Sequence, residues 1–163
     1  MNGFKNAKTY IRGKGIVRAD IGFENGRIVF GGDITPVVQT GDCLLVPGFI
    51  DSHIHGAGGA DTMDGGDALS VISKALVREG TTSFLATTMT QSADNIKRAL
   101  GAVKDTDGGA RLLGVHLEGP FISDKHIGAQ PREFIKKPDI EFFKELQTSS
   151  GGMIKIVTLA PEE

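Results

Sequence analysis

A chain of 163 residues and 17.2 kDa, 39% hydrophobic and 23% charged, has the length and balance of about one soluble globular domain. A formal charge of −2 without a long basic block argues against nucleic acid and an acidic membrane surface as partners. No stretch approaches about 18 consecutive apolar residues, and the N-terminus, MNGFKNAKTYIRG, has no apolar leader segment, so a cytoplasmic location is expected.

Residues 1–40 read as short strands and turns. Asn25-Gly26 has the signature of a type I′ turn, in which both central residues take φ > 0, and it joins Ala19–Glu24 to Arg27–Phe30. The reading is a hairpin-rich β-subdomain over 1–43, with no pair of ligating or catalytic groups in it. Cys43, the single cysteine, rules out an intrachain disulfide framework and fits a reducing compartment; it is expected to be buried at the start of a strand.

From Leu44 to residue 163 the pattern changes. Leu44–His55 reads as a first buried strand. Asp67 then caps a helix of about three and a half turns with Ala68, Val71, Ile72, Ala75 and Leu76 on one face, closed by Gly80 at C′. Thr82–Thr88 is a second strand. Ser92 caps a second helix, with Ile96, Ala99, Leu100 and Val103 at helical spacing. Arg111–Glu118 is a third strand. A third helix runs from about Pro138 to Gln147 with Ile140, Phe143 and Leu146 inward, and Ile154–Ala160 is a fourth strand.

Strands alternating with helices imply parallel βαβ units, either in an open doubly wound sheet or in part of a (β/α)8 barrel. The polar residues favour the barrel: His53 and His55 end the first strand, Thr87 and Thr88 the second and Glu118 the third, and barrels gather chemistry at these C-terminal ends. No G-x-G-x-x-G loop opens the first helix, which counts against a dinucleotide fold. A full barrel takes about 250 residues, so the α/β region is expected to be only the N-terminal half of one. Either the chain is truncated, the simpler reading, or another polypeptide supplies the remaining strands.

The chemistry centres on PGFIDSHIHGAGG, residues 47–59. In a strand, residues i and i+2 share a face, so His53 and His55 lie on one side with Asp51 and Phe49. Two such imidazoles can hold part of a metal site or can simply be strand histidines satisfied by hydrogen bonds. Glu118, in HLEGPF, shares a face with His116 by the same rule. Together with the histidine pair it completes a His-His-Glu set suited to zinc, iron(II) or another first-row divalent ion. Asp61 and Asp64 read as turn and cap residues or as pocket lining. His126, Lys136 and Lys137 read as solvated loop residues.

The order of PGFIDSHIHGAGGADTMDG, GTTSFLATTMT, GVHLEGPFIS, GAQ and VTLAPE resembles the N-acetylglucosamine-6-phosphate deacetylases of the amidohydrolase superfamily, over about Val46–Pro161. The first motif alone is shared with dihydroorotases and hydantoinases; HLEGPF followed by GAQ narrows the likeness. The resemblance implies a metal-dependent (β/α)8 barrel carrying a small β-sandwich, to which residues 1–43 contribute the N-terminal part, and a homodimer when complete. It assigns His53, His55 and Glu118 to one or two divalent ions, zinc or iron, and Ala129 and Gln130 to the sugar-binding loop. His116, beside Glu118, is then either a residue orienting that carboxylate or a buried strand histidine. The implied reaction hydrolyses N-acetylglucosamine 6-phosphate to glucosamine 6-phosphate and acetate. In that family the acid–base aspartate and two further metal histidines follow later strands, beyond Glu163, so residues 1–163 alone are expected to be inactive. Two other readings stand beside it: a cyclic-amide hydrolase of the same superfamily, and a non-catalytic half-barrel that binds a partner chain.

Overall fold

Turn chemistry and alternation build the first sheet much as the sequence suggests. β1 (Asn2–Ile11) pairs antiparallel with β2 (Gly15–Glu24), and β3 (Arg27–Phe30) follows through Asn25 and Gly26, whose φ angles of 51° and 72° are the two positive values a type I′ turn demands. β4 (Thr35–Pro36) and β5 (Leu44–Leu45) both add to β1 in parallel, completing a five-stranded sheet over buried Ala7, Ile21 and Ile34. The computed structural model describes residues 1–36, 38–104 and 106–163. It divides into two units, Met1–Pro47 and Gly48–Glu163. The division lies beyond the expected 43/44 boundary because Leu44 and Leu45 ladder onto Lys8 and Thr9. The expected first strand, Leu44–His55, is therefore two strands in two sheets. Cys43 is exposed rather than buried, since β5 is a two-residue edge strand that offers little cover.

The second unit opens with β6 (Phe49–Ile54), followed by a miniature hairpin of β7 (Gly56–Ala57) and β8 (Ala60–Asp61). Then come α1 (Ala68–Arg78), β9 (Thr81–Thr87), α2 (Ala93–Gly101), β10 (Arg111–Glu118), α3 (Ile140–Ser149) and β11 (Ile154–Thr158). Its four long strands are all parallel and pair in chain order, β6-β9-β10-β11. A doubly wound sheet reverses its order at a switch point. The described strands do not, which is the winding a (β/α)8 barrel uses.

One face of this sheet carries the helices. Leu69, Ile72 and Leu76 of α1 pack on Phe84, Ala86, Ala110 and Leu112. Ile96 and Leu100 of α2 and Leu146 of α3 pack on Val115, Leu117, Phe121 and Ile154. Each such large side chain contributes roughly 1.5–3 kcal/mol of burial free energy. A register shift between Leu112 and Gly114 resets the alternation of β10. Val115 and Leu117 thus join Leu112 on the helix side, and His116 and Glu118 take the other.

The helices match the pattern except where tertiary packing rotates them. On α1, Leu69 and Ser73 are buried and Val71 is 43% exposed, so the buried stripe is shifted from the expected one. Asp67 holds the N-cap position, yet its carboxylate turns to Lys104 (3.0 Å) instead of a helix N–H. Ser92 caps α2 as expected, accepting from the Asn95 N–H. α3 begins later than expected, at Ile140, because Asp139 accepts from the N–H groups of Glu141 and Phe142 and so marks its start. Ile140, expected to point inward, is 68% exposed, while Leu146 is fully buried.

Candidate metal centre

β6 is an edge strand, with Phe49 and Ile50 about 70% exposed, and it is held at its C-terminal end by its neighbour. Between Asp51 and Ile54 it spends one more residue than β9 does between Phe84 and Ala86, a bulge. Three hydrogen bonds pin this stretch. The His53 N–H donates to Asp51 Oδ1 (3.0 Å), the Ile54 N–H to Thr87 Oγ1 (3.0 Å), and His55 Nδ1 to the Thr87 carbonyl (3.2 Å). The chain then turns back through Gly56, where a Cβ would lie 2.2 Å from the Ala60 carbonyl oxygen, so no other residue fits.

The bulge also corrects the simple alternation. His55 lies past the end of β6, and the two imidazoles stand perpendicular, their centroids 5.1 Å apart at 86°. They converge nonetheless. His55 Nε2 lies 2.9 Å and His53 Nε2 3.5 Å from Glu118 Oε2, and one ligand atom from each of the three residues falls within 4.8 Å of the others. The side chains of His53, His55 and Glu118 are 46%, 32% and 22% exposed, so the cluster is open to solvent on one side.

The protonation pattern is informative. A carbonyl only accepts, so His55 Nδ1 carries the hydrogen that meets Thr87, and in the neutral ring Nε2 then presents a lone pair. That lone pair faces a carboxylate oxygen at 2.9 Å, and Glu118 Oε2 is buried without a hydrogen-bond partner. The contact meets the distance of an ion pair but not the directional demand of a hydrogen bond. Two acceptors this close repel unless a proton or a metal cation lies between them. Two donors about 2.1 Å from one ion at angles of roughly 90–110° stand about 3.0–3.4 Å apart, close to the separations found here. The residues fit a divalent metal.

The other site candidates separate cleanly. His116 is buried and uses both ring nitrogens: Nδ1 donates to the Ser52 carbonyl (3.1 Å), and Nε2 accepts from the Thr158 hydroxyl (2.7 Å). Its ring stands 4.7 Å from that of His53, edge to face at 89°. No nitrogen is left for an ion, so it ties the β6 bulge to the end of β11. Ala129 is exposed, and Gln130 Oε1 accepts from the Thr90 N–H (2.9 Å), joining the loop after β10 to the loop after β9; neither belongs to the His-His-Glu cluster. Asp61 and Asp64 form a reciprocal capping box and also border a cavity of about 310 Å³ with Met63, Thr90 and Arg98. His126 is exposed, as expected. Residues that pattern reading passed over are Thr87, taken there only as a strand end, and Thr158. Each anchors a histidine through a contact between strands that spacing along the chain does not reveal.

Comparison with known proteins identifies relatives of this chain. The amidohydrolase family model matches residues 44–163. The chain is similar to N-acetylglucosamine-6-phosphate deacetylase of Bacillus subtilis (strain 168), 55% identical over 130 residues that cover 75% of this chain and 33% of the relative. It is similar as well to N-acetylglucosamine-6-phosphate deacetylase of Lysinibacillus sphaericus, 50% identical over 125 residues covering 74% and 32%. The crystal structure of N-acetylglucosamine-6-phosphate deacetylase from Thermotoga maritima superposes with a TM-score of 0.73 at 32% identity, covering 97% of this chain and 42% of that one. The chain thus spans about a third of the length of the curated relatives it matches.

Proposed function

This chain belongs to the amidohydrolase family, and from that premise we propose that it carries part of the active site of a metal-dependent deacetylase acting on N-acetylglucosamine 6-phosphate. The observation that carries the reading is the buried, unpartnered Glu118 Oε2 set 2.9 Å from His55 Nε2 and 3.5 Å from His53 Nε2. His53, His55 and Glu118 hold the ion, zinc or iron(II), with Thr87 and Asp51 fixing the backbone that presents the two imidazoles. When bound, a divalent ion supplies Lewis acidity to the acetamide carbonyl and to water, which an unactivated amide needs. His116 sets the bulge that aims His53, through the Ser52 carbonyl. Ala129 and Gln130 belong to the loop proposed to meet the sugar, held against the β9 side by the bond to Thr90. The complete protein is a homodimer whose (β/α)8 barrel continues the β6-β9-β10-β11 winding, with the first sheet contributing to a small β-sandwich.

The test is acetate release from N-acetylglucosamine 6-phosphate by the full-length protein, with dihydroorotate and hydantoin as competing substrates. Turnover lost on chelation, restored by zinc or iron(II) and abolished by Glu118→Gln supports the reading. Turnover of the cyclic amides in preference, or turnover indifferent to chelation, overturns it.

A further inference from the structure

Thr87 is fully buried at the end of β9 and makes two of the three bonds that pin the histidine stretch of β6: its hydroxyl accepts from the Ile54 N–H and its carbonyl from His55 Nδ1–H. We infer that Thr87 is a positioning residue for the metal centre, which sets both the path of the His53–His55 segment and the tautomer of His55. The inference rests on the metal reading above and adds a residue that touches neither ion nor substrate.

Geometry supports it in two steps. Within the bulge of β6 the usual ladder partners are displaced, so the Ile54 N–H must find its acceptor elsewhere. Thr87 Oγ1 is that acceptor at 3.0 Å, and Ile54 stands between the two histidines in sequence, where a shift of the backbone moves both rings. The carbonyl of the same residue then takes the Nδ1 hydrogen of His55, which leaves Nε2 as the free lone pair aimed at Glu118 Oε2. Partners of this kind keep a ligating imidazole in the correct tautomer and orientation, and removing one typically weakens metal binding by about 10–100-fold. The neighbouring Thr88 is a useful contrast, being equally buried but with its hydroxyl unpartnered and no bond to the histidine segment.

The experiment uses the full-length protein and variants Thr87→Ser, Thr87→Val, Thr88→Val and Glu118→Gln, with zinc affinity read by competition against a chromophoric chelator. Thr87→Val, which keeps the shape and removes the acceptor, is expected to weaken zinc binding by about 10–100-fold. Thr87→Ser and Thr88→Val are expected to bind within about threefold of the parent. In the metal-free parent, nitrogen-15 correlation spectra are expected to show His55 protonated at Nδ1. This last readout stands even if Thr87→Val does not fold. Parent-like zinc affinity in folded Thr87→Val, equal losses in Thr87→Ser and Thr87→Val, or an Nε2–H tautomer at His55 would overturn the inference. Should Glu118→Gln also bind zinc like the parent, the metal reading itself falls; a loss there with none in Thr87→Val sinks only the role of Thr87.

Discussion

Single atoms decide what this site can do. Glu118 Oε2 is a carboxylate oxygen without a hydrogen bond, and the nearest nitrogen, His55 Nε2, stands 2.9 Å away. His55→Ala is therefore expected to lower zinc affinity sharply, by isothermal titration, while leaving His116 hydrogen-bonded as before. The glycine after Glu118 is equally constrained. Gly119 has φ of 71°, and a Cβ there would lie 2.0 Å from Thr90 Oγ1. Gly119→Ala should destabilise the fold by roughly 1–3 kcal/mol from backbone strain, with the clash in addition, as read by urea unfolding. The motif HLEGPF was legible in the sequence as a carboxylate at a strand end, a candidate ligand. The reason glycine is needed there was not, because Thr90 approaches it from another strand's loop.

At the scale of elements, two aspartates that look alike in sequence behave differently. Asp139 bonds two helix N–H groups at the start of α3, whereas Asp67 at the start of α1 makes no such bond and pairs with Lys104 in an exposed setting. Asp139→Ala should cost about 0.5–2 kcal/mol. Asp67→Ala should cost at most about 1 kcal/mol, screened by salt, as exposed ion pairs are. Equal losses at low and high salt would contradict this assignment of roles. The buried faces offer a second contrast. Leu117→Ala, in the cluster with Val115, Leu146 and Ile154, should cost about 2–5 kcal/mol, while Ile140→Ala should stay within about 0.5 kcal/mol. Helical spacing identified Leu146 and Phe143 correctly but included Ile140, because a periodic pattern leaves the first residue of a helix free to face either way.

The whole molecule links the two scales. Its strands follow one another in order across the parallel sheet, and the histidines and glutamate arrive from β6 and β10 with β9 between them. Among the described residues, His53, His55 and Glu118 form the one group of this kind that could hold a metal ion, and they are the ligands proposed above. A polypeptide of residues 1–163 is therefore expected to bind zinc through His53, His55 and Glu118 yet release no acetate from N-acetylglucosamine 6-phosphate. Metal-dependent turnover by that polypeptide would show that the centre needs nothing more.

The sequence by itself determined the succession of strands and helices, the type I′ turn at Asn25-Gly26, the strand that ends at Glu118 and the three candidate ligand positions that the fold brings together, since local periodicity, turn residues and motif spacing are properties of neighbours along the chain. Tertiary structure alone decided how the ligands meet. The bulge in β6, the bond from the Ile54 N–H to the Thr87 hydroxyl, the contact of His55 Nδ1 with the Thr87 carbonyl and the bridge from His116 to Ser52 and Thr158 all arise between strands distant in sequence. A register shift of one residue turns side chains from one face to the other. Spacing along a single strand says nothing of where such a shift falls.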